Sequence, residues 1–429
     1  MISRHCWNKE NSFGNTYSNI FGEVPNIEIA HVYLMEGTPD YESVVSRYFH
    51  ISEKQIFKSV FCKNMEVGEE VFASFQTNTK GDASMIAQYH KMLTFGKKYR
   101  WAVLNWAREL AWLIGKVDYQ GLMEFVKSFS PDVLFIPYNN VFFSNRIALK
   151  VSKTLNIPMV LNMEMDHYSL NRISYNPFFW IDRLLKRRII RKLVNRASFV
   201  YVISEKLKQE YELLLKKDCK VLYKIPDLTR KKYDYKPSDK VVHYLFTGNI
   251  SANRWKSLAL LTSELKKYDN CVFDIYTATP ISKEMQKALY IPGKSLIHRP
   301  VSQNEIIALQ NSADVLVHAE AFDKYNKSLV RCAISTKIMD YLSVGRCILA
   351  IGPADVASIE YLKNNDLGII AYDSKTIQNC VNSTNDSKTR TFYSKKAMAF
   401  VSTQLDANKL RTQLLGELQS AIDSYKKVQ

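Results

Sequence analysis

Short apolar runs alternate with longer stretches of helical periodicity along most of the chain. In the first half the runs fall at 26–34 (NIEIAHVYL), 55–62, 132–137, 158–164, 198–203 and 219–225, and in the second at 241–247, 271–277, 313–319, 347–352 and 367–372. Continuous apolar runs separated by helices predict parallel strands covered on both faces, the doubly wound α/β class. Between the two sets lies PDLTRKKYDYKPSDK, polar, basic and bounded by Pro226 and Pro237, which reads as a linker. Beyond 372 the chain turns polar, then helical from about 394 to 427, with Leu405, Leu410, Leu414, Leu415 and Leu418 at helical spacing.

The division is therefore a Rossmann-like domain over 1–225, a linker over 226–240, a second Rossmann-like domain over 241–390 and a helical segment over 391–429. A length of 429 residues with 46% hydrophobic content suits two cores of this size. Such domains bind ligands at the C-terminal edges of their sheets, so function is expected in the loops that follow strands. The chain enters HCWNKENSFGNTYSN almost at once, which leaves little room for a first strand and places the expected start upstream.

Seven cysteines without a C-x-x-C pair argue against a disulfide framework or a zinc site and suit a reducing compartment. With no apolar leader after Met1 and no run of about 18 apolar residues, a cytoplasmic location is expected. The net charge of +17 calls for an anionic partner. Between Arg172 and Arg196 eight basic residues face the single acid Asp182. There Phe178, Ile181, Leu184, Leu185, Ile189 and Leu193 share helical spacing with Arg183, Lys186, Arg187, Arg188, Arg191 and Lys192 between them. The stretch 97–116 repeats the theme, with Trp101, Trp106 and Trp112 and basic ends at Lys97, Lys98, Arg100 and Lys116. Both read either as helices with a core face and a solvated charged face, or as basic amphipathic helices lying on an anionic membrane surface. No recognition helix, zinc finger or RNP pattern supports nucleic acid as the partner.

Two loops carry candidate chemistry. After the run 241–247 comes GNISANRWKSLALL: Gly248 permits close backbone approach, Asn249 and Ser251 can start a helix, and Arg254 and Lys256 set charge beside its first turn. A diphosphate suits that place, as does a plain strand-to-helix turn. The second loop reads CAISTKIMDYLSVGRCILAIGP (332–353), with Ser335 or Thr336 as N-cap, the helix KIMDYLSV, and Gly345 as its stop. Because a helix rises about 5.4 Å per turn, an anion on the amides near Lys337 leaves an attached sugar beside Asp340. Phosphate at Lys337 and ribose at Asp340 is one reading, and a capped surface helix with an ion pair is the other.

The region 317–373 resembles the donor-binding region of GT-B glycosyltransferases related to family 4, whose helix has the form S-x-K-[IL]-x-[ED]-Y-L-x-x-G-[KR]-x-[IV]. Ser335, Lys337, Ile338, Asp340, Tyr341, Leu342, Gly345 and Arg346 match it. FTGNISANRW is similar to the phosphate loop of that fold, and NSFGNTYSNIF to the glycine loop of its N-terminal domain. The resemblance implies a GT-B fold, two Rossmann-like domains facing a cleft, and a hexosyl transferase of bacterial polysaccharide type that works without a metal ion and with retention. It implies that the nucleotide of a nucleotide-diphosphate sugar sits against Gly248, Asn249, Lys256, Ser335 and Thr336, that Asp340 holds its ribose, and that Arg254 and Lys337 stabilise the leaving diphosphate. Many members carry a second acid eight residues before the first, in an E-x7-E pattern, where this chain has Cys332; Glu320, ending the run 313–319, is the candidate substitute for orienting the donor sugar.

On the N-terminal side, MEMDHYSL (163–170) offers Glu164, Asp166 and His167 to the cleft. Asp166 or His167 is the candidate base for an acceptor hydroxyl, and Glu164 a candidate sugar ligand, alongside Gly14 and Asn15 from the glycine loop. The same residues also read as a capped turn. The expected function is transfer of a sugar from a nucleotide-diphosphate sugar to a saccharide or lipid-linked acceptor in surface polysaccharide (capsule, exo- or lipopolysaccharide) synthesis, at the inner face of the plasma membrane, with no cofactor and no nucleic acid. A nucleotide-sugar 2-epimerase of the same fold and a non-enzymatic basic binding protein are the alternatives.

Overall fold

The computed structural model describes residues 1–9, 11–40, 44–62, 65–72, 102–226, 235–238 and 240–427. Trp101, with Lys97, Lys98 and Arg100, lies outside them, as do 227–234 and 239 of the expected linker. The first half builds two four-stranded sheets. One runs in the order β1 (Ile2–Ser3), β2 (Ile29–Tyr33), β3 (Val45–His50), β4 (Glu69–Val71), parallel except for β3 against β4. The other is wholly parallel, in the order β5 (Leu134–Pro137), β6 (Met159–Met163), β7 (Ala197–Val202), β8 (Cys219–Val221). β1 lies beside β5, so the two sheets meet at those edges.

The second half is one parallel six-stranded sheet made of β9 (Val242–Thr247), β10 (Cys271–Tyr276), β11 (Ser295–His298), β12 (Val315–Ala319), β13 (Cys347–Ile351) and β14 (Ile369–Ala371). Its spatial order is β11-β10-β9-β12-β13-β14, the Rossmann arrangement, with the direction of winding reversing between β9 and β12. Central strands are mostly apolar because helices cover both faces. Tyr244, Phe246, Val315 and Val317 enter one core, while the alternating Leu245, Leu316, Ile348 and Ala350 enter the other.

The run at 55–62, expected as a strand, is instead part of the helix Glu53–Ser59. Ser52 Oγ caps it by accepting from Gln55 N at 3.2 Å, and Ile56 is its fully buried anchor, so a local N-cap outweighs the apolar run. β3, which the run was expected to supply, lies just upstream. The C-terminal helical stretch divides into Ser387–Gln404 and Ala407–Lys426. The first packs on the second half, whereas the last helix crosses back to the first, where Leu414, Leu418 and Ala421 join Phe135, Val160 and Tyr201. Tyr201 Oη donates to Glu417 Oε2 at 2.5 Å and fixes the crossing.

Candidate functional site

The reversal between β9 and β12 puts the loop after one strand beside the loop after the other, and charge gathers there. β9 ends in Gly248 with φ +133°, a conformation L side chains avoid. A Cβ on Gly248 would lie 1.9 Å from Lys337 Nζ, so the missing side chain is the space the lysine occupies. Lys337 is the second residue of the helix Thr336–Val344, whose N-cap Ser335 makes no side-chain capping bond. Its ammonium also stands 5.0 Å from the Phe246 ring centroid. Burial, then Arg254, lowers its pKa to about 8.

Arg254 opens the helix Arg254–Leu265, which likewise lacks a side-chain cap because Asn253 adopts left-handed backbone. Its guanidinium grips Glu320, just past β12, with Nε to Oε2 at 2.9 Å and Nη2 to Oε1 at 3.4 Å. Burial pushes the Glu320 carboxyl up, opposed by Arg254 and Lys337. His318, whose Nε2 is 3.1 Å from Ser358 Oγ, is driven down to about 3 by burial and then by Lys337 and Arg254, so it is neutral. Two cations, one carboxylate and two helix N-termini without side-chain caps thus converge on one spot, a net positive setting for an anion.

Asp340 stands one turn beyond Lys337 and accepts from Lys224 Nζ at 2.7 Å; the lysine side chain is buried and comes from the first half of the chain. A cavity of about 270 Å3 lies between the halves, lined by Thr16 and Glu164 from one side, Arg254, Glu320, Ser335 and Thr336 from the other, and Lys224 between them. Glu164 opens onto it and accepts from Tyr17 Oη at 2.8 Å, and Asn162 Nδ2 donates to the same hydroxyl at 2.6 Å. Although Glu164 keeps exposed surface at the cleft mouth, desolvation by the surrounding residues raises its carboxyl above its usual range, against the pull of Tyr17.

Several expected site residues are placed elsewhere. Asp166 is buried and accepts from the amides of Tyr168 and Ser169 and from the Ser169 hydroxyl, while Arg183 Nη2 at 3.3 Å and Arg331 Nη2 at 3.2 Å flank it. With its oxygens occupied by partners it holds a turn, and the geometry withdraws it as a base. His167 packs 5.0 Å from the Tyr138 ring, and burial, then Arg183, drives it down to about 3; neither residue lines the cavity. Gly14 is not a loop glycine: Asn11 caps the helix Ser12–Phe21, Gly14 lies in its first turn, and Asn15 lies within it. A Cβ on Gly14 would meet Asn8 O at 2.1 Å, so its smallness serves the packing of the preceding loop. Gly14→Ala is expected to cost about 1–3 kcal/mol by overpacking, read as a lower urea midpoint.

Asn249 and Ser251 do not start the helix; Asn249 Oδ1 accepts from Ser251 N at 2.7 Å and Thr279 Oγ1 at 3.2 Å and so shapes the loop. Lys256 is exposed, 5.5 Å from the Trp255 ring, and does not line the cavity. Cys332 is buried in the core of the first half, and its carbonyl accepts from Ser204 Oγ at 2.6 Å. It does not line the cavity, whereas Glu320 does. Lys224, Tyr17, Thr16 and His318 were not expected. Lys224 stands next to last in the run CKVLYKI (219–225), where a cation among apolar residues was the available signal.

The fold that these two α/β halves and their cleft define is GT-B. Among solved structures the chain is similar to HepE of Anabaena in complex with UDP-glucose (14% identity, TM-score 0.53, covering 70% of this chain and 81% of that one). It is also similar to WaaG, a glycosyltransferase involved in lipopolysaccharide biosynthesis (12% identity, TM-score 0.51, 96% of each chain). A glycosyltransferase from Rickettsia africae aligns at 14% identity and TM-score 0.53, over 71% of this chain and 80% of that one. No protein-family model and no curated protein matches the sequence. Among the described residues no group of three or more His, Cys, Asp or Glu is placed to hold a metal ion.

Anion binding here should depend on pH. Above about 8 Lys337 loses its proton, so affinity for a diphosphate is expected to fall as pH rises past that value, measured by calorimetry with UDP. Stability moves the other way. Between about 8 and 10.5 the unfolded chain holds a proton that folded Lys337 has lost, so this group's contribution to unfolding free energy rises with pH.

Proposed function

We propose that the chain is a glycosyltransferase of the family 4-like GT-B type, moving a hexose from a nucleotide-diphosphate sugar to a saccharide or lipid-linked acceptor. The observation that carries this reading is the Lys337 ammonium seated against Gly248 at the β9/β12 reversal, with Arg254 and two uncapped helix N-termini beside it. A diphosphate placed there gains charge as the glycosyl bond breaks, and fixed cations stabilise that change without rearranging. The reading gives this role to Lys337 and Arg254 rather than to a metal ion. Asp340 takes the ribose, exchanging its bond from Lys224 for the sugar hydroxyls, and Glu320 takes the donor sugar in place of the absent acid at 332. Across the cavity Glu164, with its raised pKa and Tyr17 support, is the group placed to accept the acceptor's proton or bond its hydroxyl. Retention at the anomeric carbon and a cytoplasmic location complete the reading, with a place in bacterial surface polysaccharide synthesis that accords with the likeness to WaaG, a glycosyltransferase involved in lipopolysaccharide biosynthesis.

Calorimetry with UDP, GDP, ADP and CMP tests it. At least one nucleotide is expected to bind wild type and to bind Lys337→Ala and Asp340→Ala at least ~10-fold more weakly. If none binds wild type the donor site is wrong, and if the variants bind equally well the residue assignment is.

A further inference from the structure

Over its first half, the longer of the two basic amphipathic helices takes an arrangement opposite to a solvated helix. In the helix Pro177–Arg196 the cations Arg183 and Lys186 are buried, each 6% exposed, while Phe178, Ile181, Leu184 and Leu185 face outward at 47, 46, 53 and 39%. Arg183 turns inward because Nη2 and Nε donate to Ser169 O at 2.7 and 3.1 Å, and Lys186 because it pairs with Asp182 at 2.7 Å. The adjoining helix Ala102–Ile114 exposes Leu104, Leu110, Leu113 and Ile114, and the two are joined by Trp106 Nε1 donating to Asp182 Oδ1 at 3.3 Å. The outward leucine face of the longer helix then continues, one turn on, into exposed Arg188, Arg191 and Lys192. Among the described residues no helix is long and apolar enough to cross a membrane.

We propose that this face docks the protein on an anionic lipid bilayer, the leucines of both helices entering the headgroup boundary and Arg188, Arg191 and Lys192 meeting lipid phosphates. Apolar surface of this kind at a basic rim, in a chain of net charge +17, matches the chemistry of such an interface and of no uncharged one. The site lies within reach along the same surface. Arg183 ties the loop 165–170 to this helix, and the exposed Met165 of that loop lines the catalytic cavity, so a lipid-linked acceptor would approach over apolar surface.

The test is vesicle flotation of the full chain with phosphatidylcholine alone and with added phosphatidylglycerol, at low and high salt, using wild type, Leu110→Glu/Leu184→Glu and Arg188→Glu/Lys192→Glu. Wild type is expected to float with the anionic vesicles only, less so at high salt. Each double variant is expected to bind at least ~10-fold more weakly, with melting temperature and UDP binding as in wild type. The proposal is overturned if wild type stays unbound, if the leucine variant floats like wild type, or if that variant instead dissociates a wild-type dimer in light scattering, which would make the face an interface between copies. UDP binding on the same samples separates failure here from failure of the sugar-transfer reading.

Discussion

Lys337→Ala is expected to lower kcat by about 100- to 1000-fold, the scale seen when one preorganised charge donor is removed from a developing anion. The side chain is half-enclosed by Gly248 and Phe246 and belongs to a helix whose buried face is Ile338, Met339, Tyr341 and Leu342, so its loss leaves the core intact. A melting temperature at or above that of wild type should accompany the lost turnover, since burial disfavours the charged lysine in the folded state. A matching experiment comes from the glycine: Gly248→Ala puts a methyl group where the ammonium sits and should produce the same kinetic defect with Lys337 still present. Turnover near wild type in Lys337→Ala would remove the diphosphate from this position.

Asp166→Ala should act on stability instead, by about 3–5 kcal/mol, because it strands buried Arg183 without its carboxylate. Burial opposes ionisation of Asp166, yet the Ser169 hydroxyl and Arg183, with Arg331, outweigh it and hold the carboxyl below the usual range. A depressed acid stabilises the fold above its ordinary pKa, so this contribution should vanish as pH falls below about 4 and be complete at neutrality. Urea titrations at several pH values measure it. UDP affinity of the folded variant at low temperature should match wild type, and a large drop in affinity with normal stability would return Asp166 to the active site.

The doubly wound class was legible because central strands covered on both faces are mostly apolar, as 242–247 is, and 347–351 is so throughout. The short edge elements were less so. β1 and β4 are too brief to show a pattern, and 55–62 has an apolar content that a cap at Ser52 converts to helix. In the site, Gly248, Arg254, Glu320 and Lys337 were found together because each follows a strand or opens a helix, positions that sequence punctuation marks. Asp166, His167 and Gly14 were misread for one reason: their partners, Arg183, Arg331 and Asn8, are set by folding and not by spacing. Lys224 escaped notice because only the cleft brings it to Asp340, a residue 116 positions away.

The helix Ala407–Lys426 has a consequence for biosynthesis. It leaves the ribosome after the whole second half, yet it packs on the sheet β5–β8 of the first. Until it emerges, Phe135, Val160 and Tyr201 lack the part of their cover that Leu414, Leu418 and Ala421 supply, and the first half stays incompletely packed through the making of the second. The first half therefore completes its core only after the second has been made.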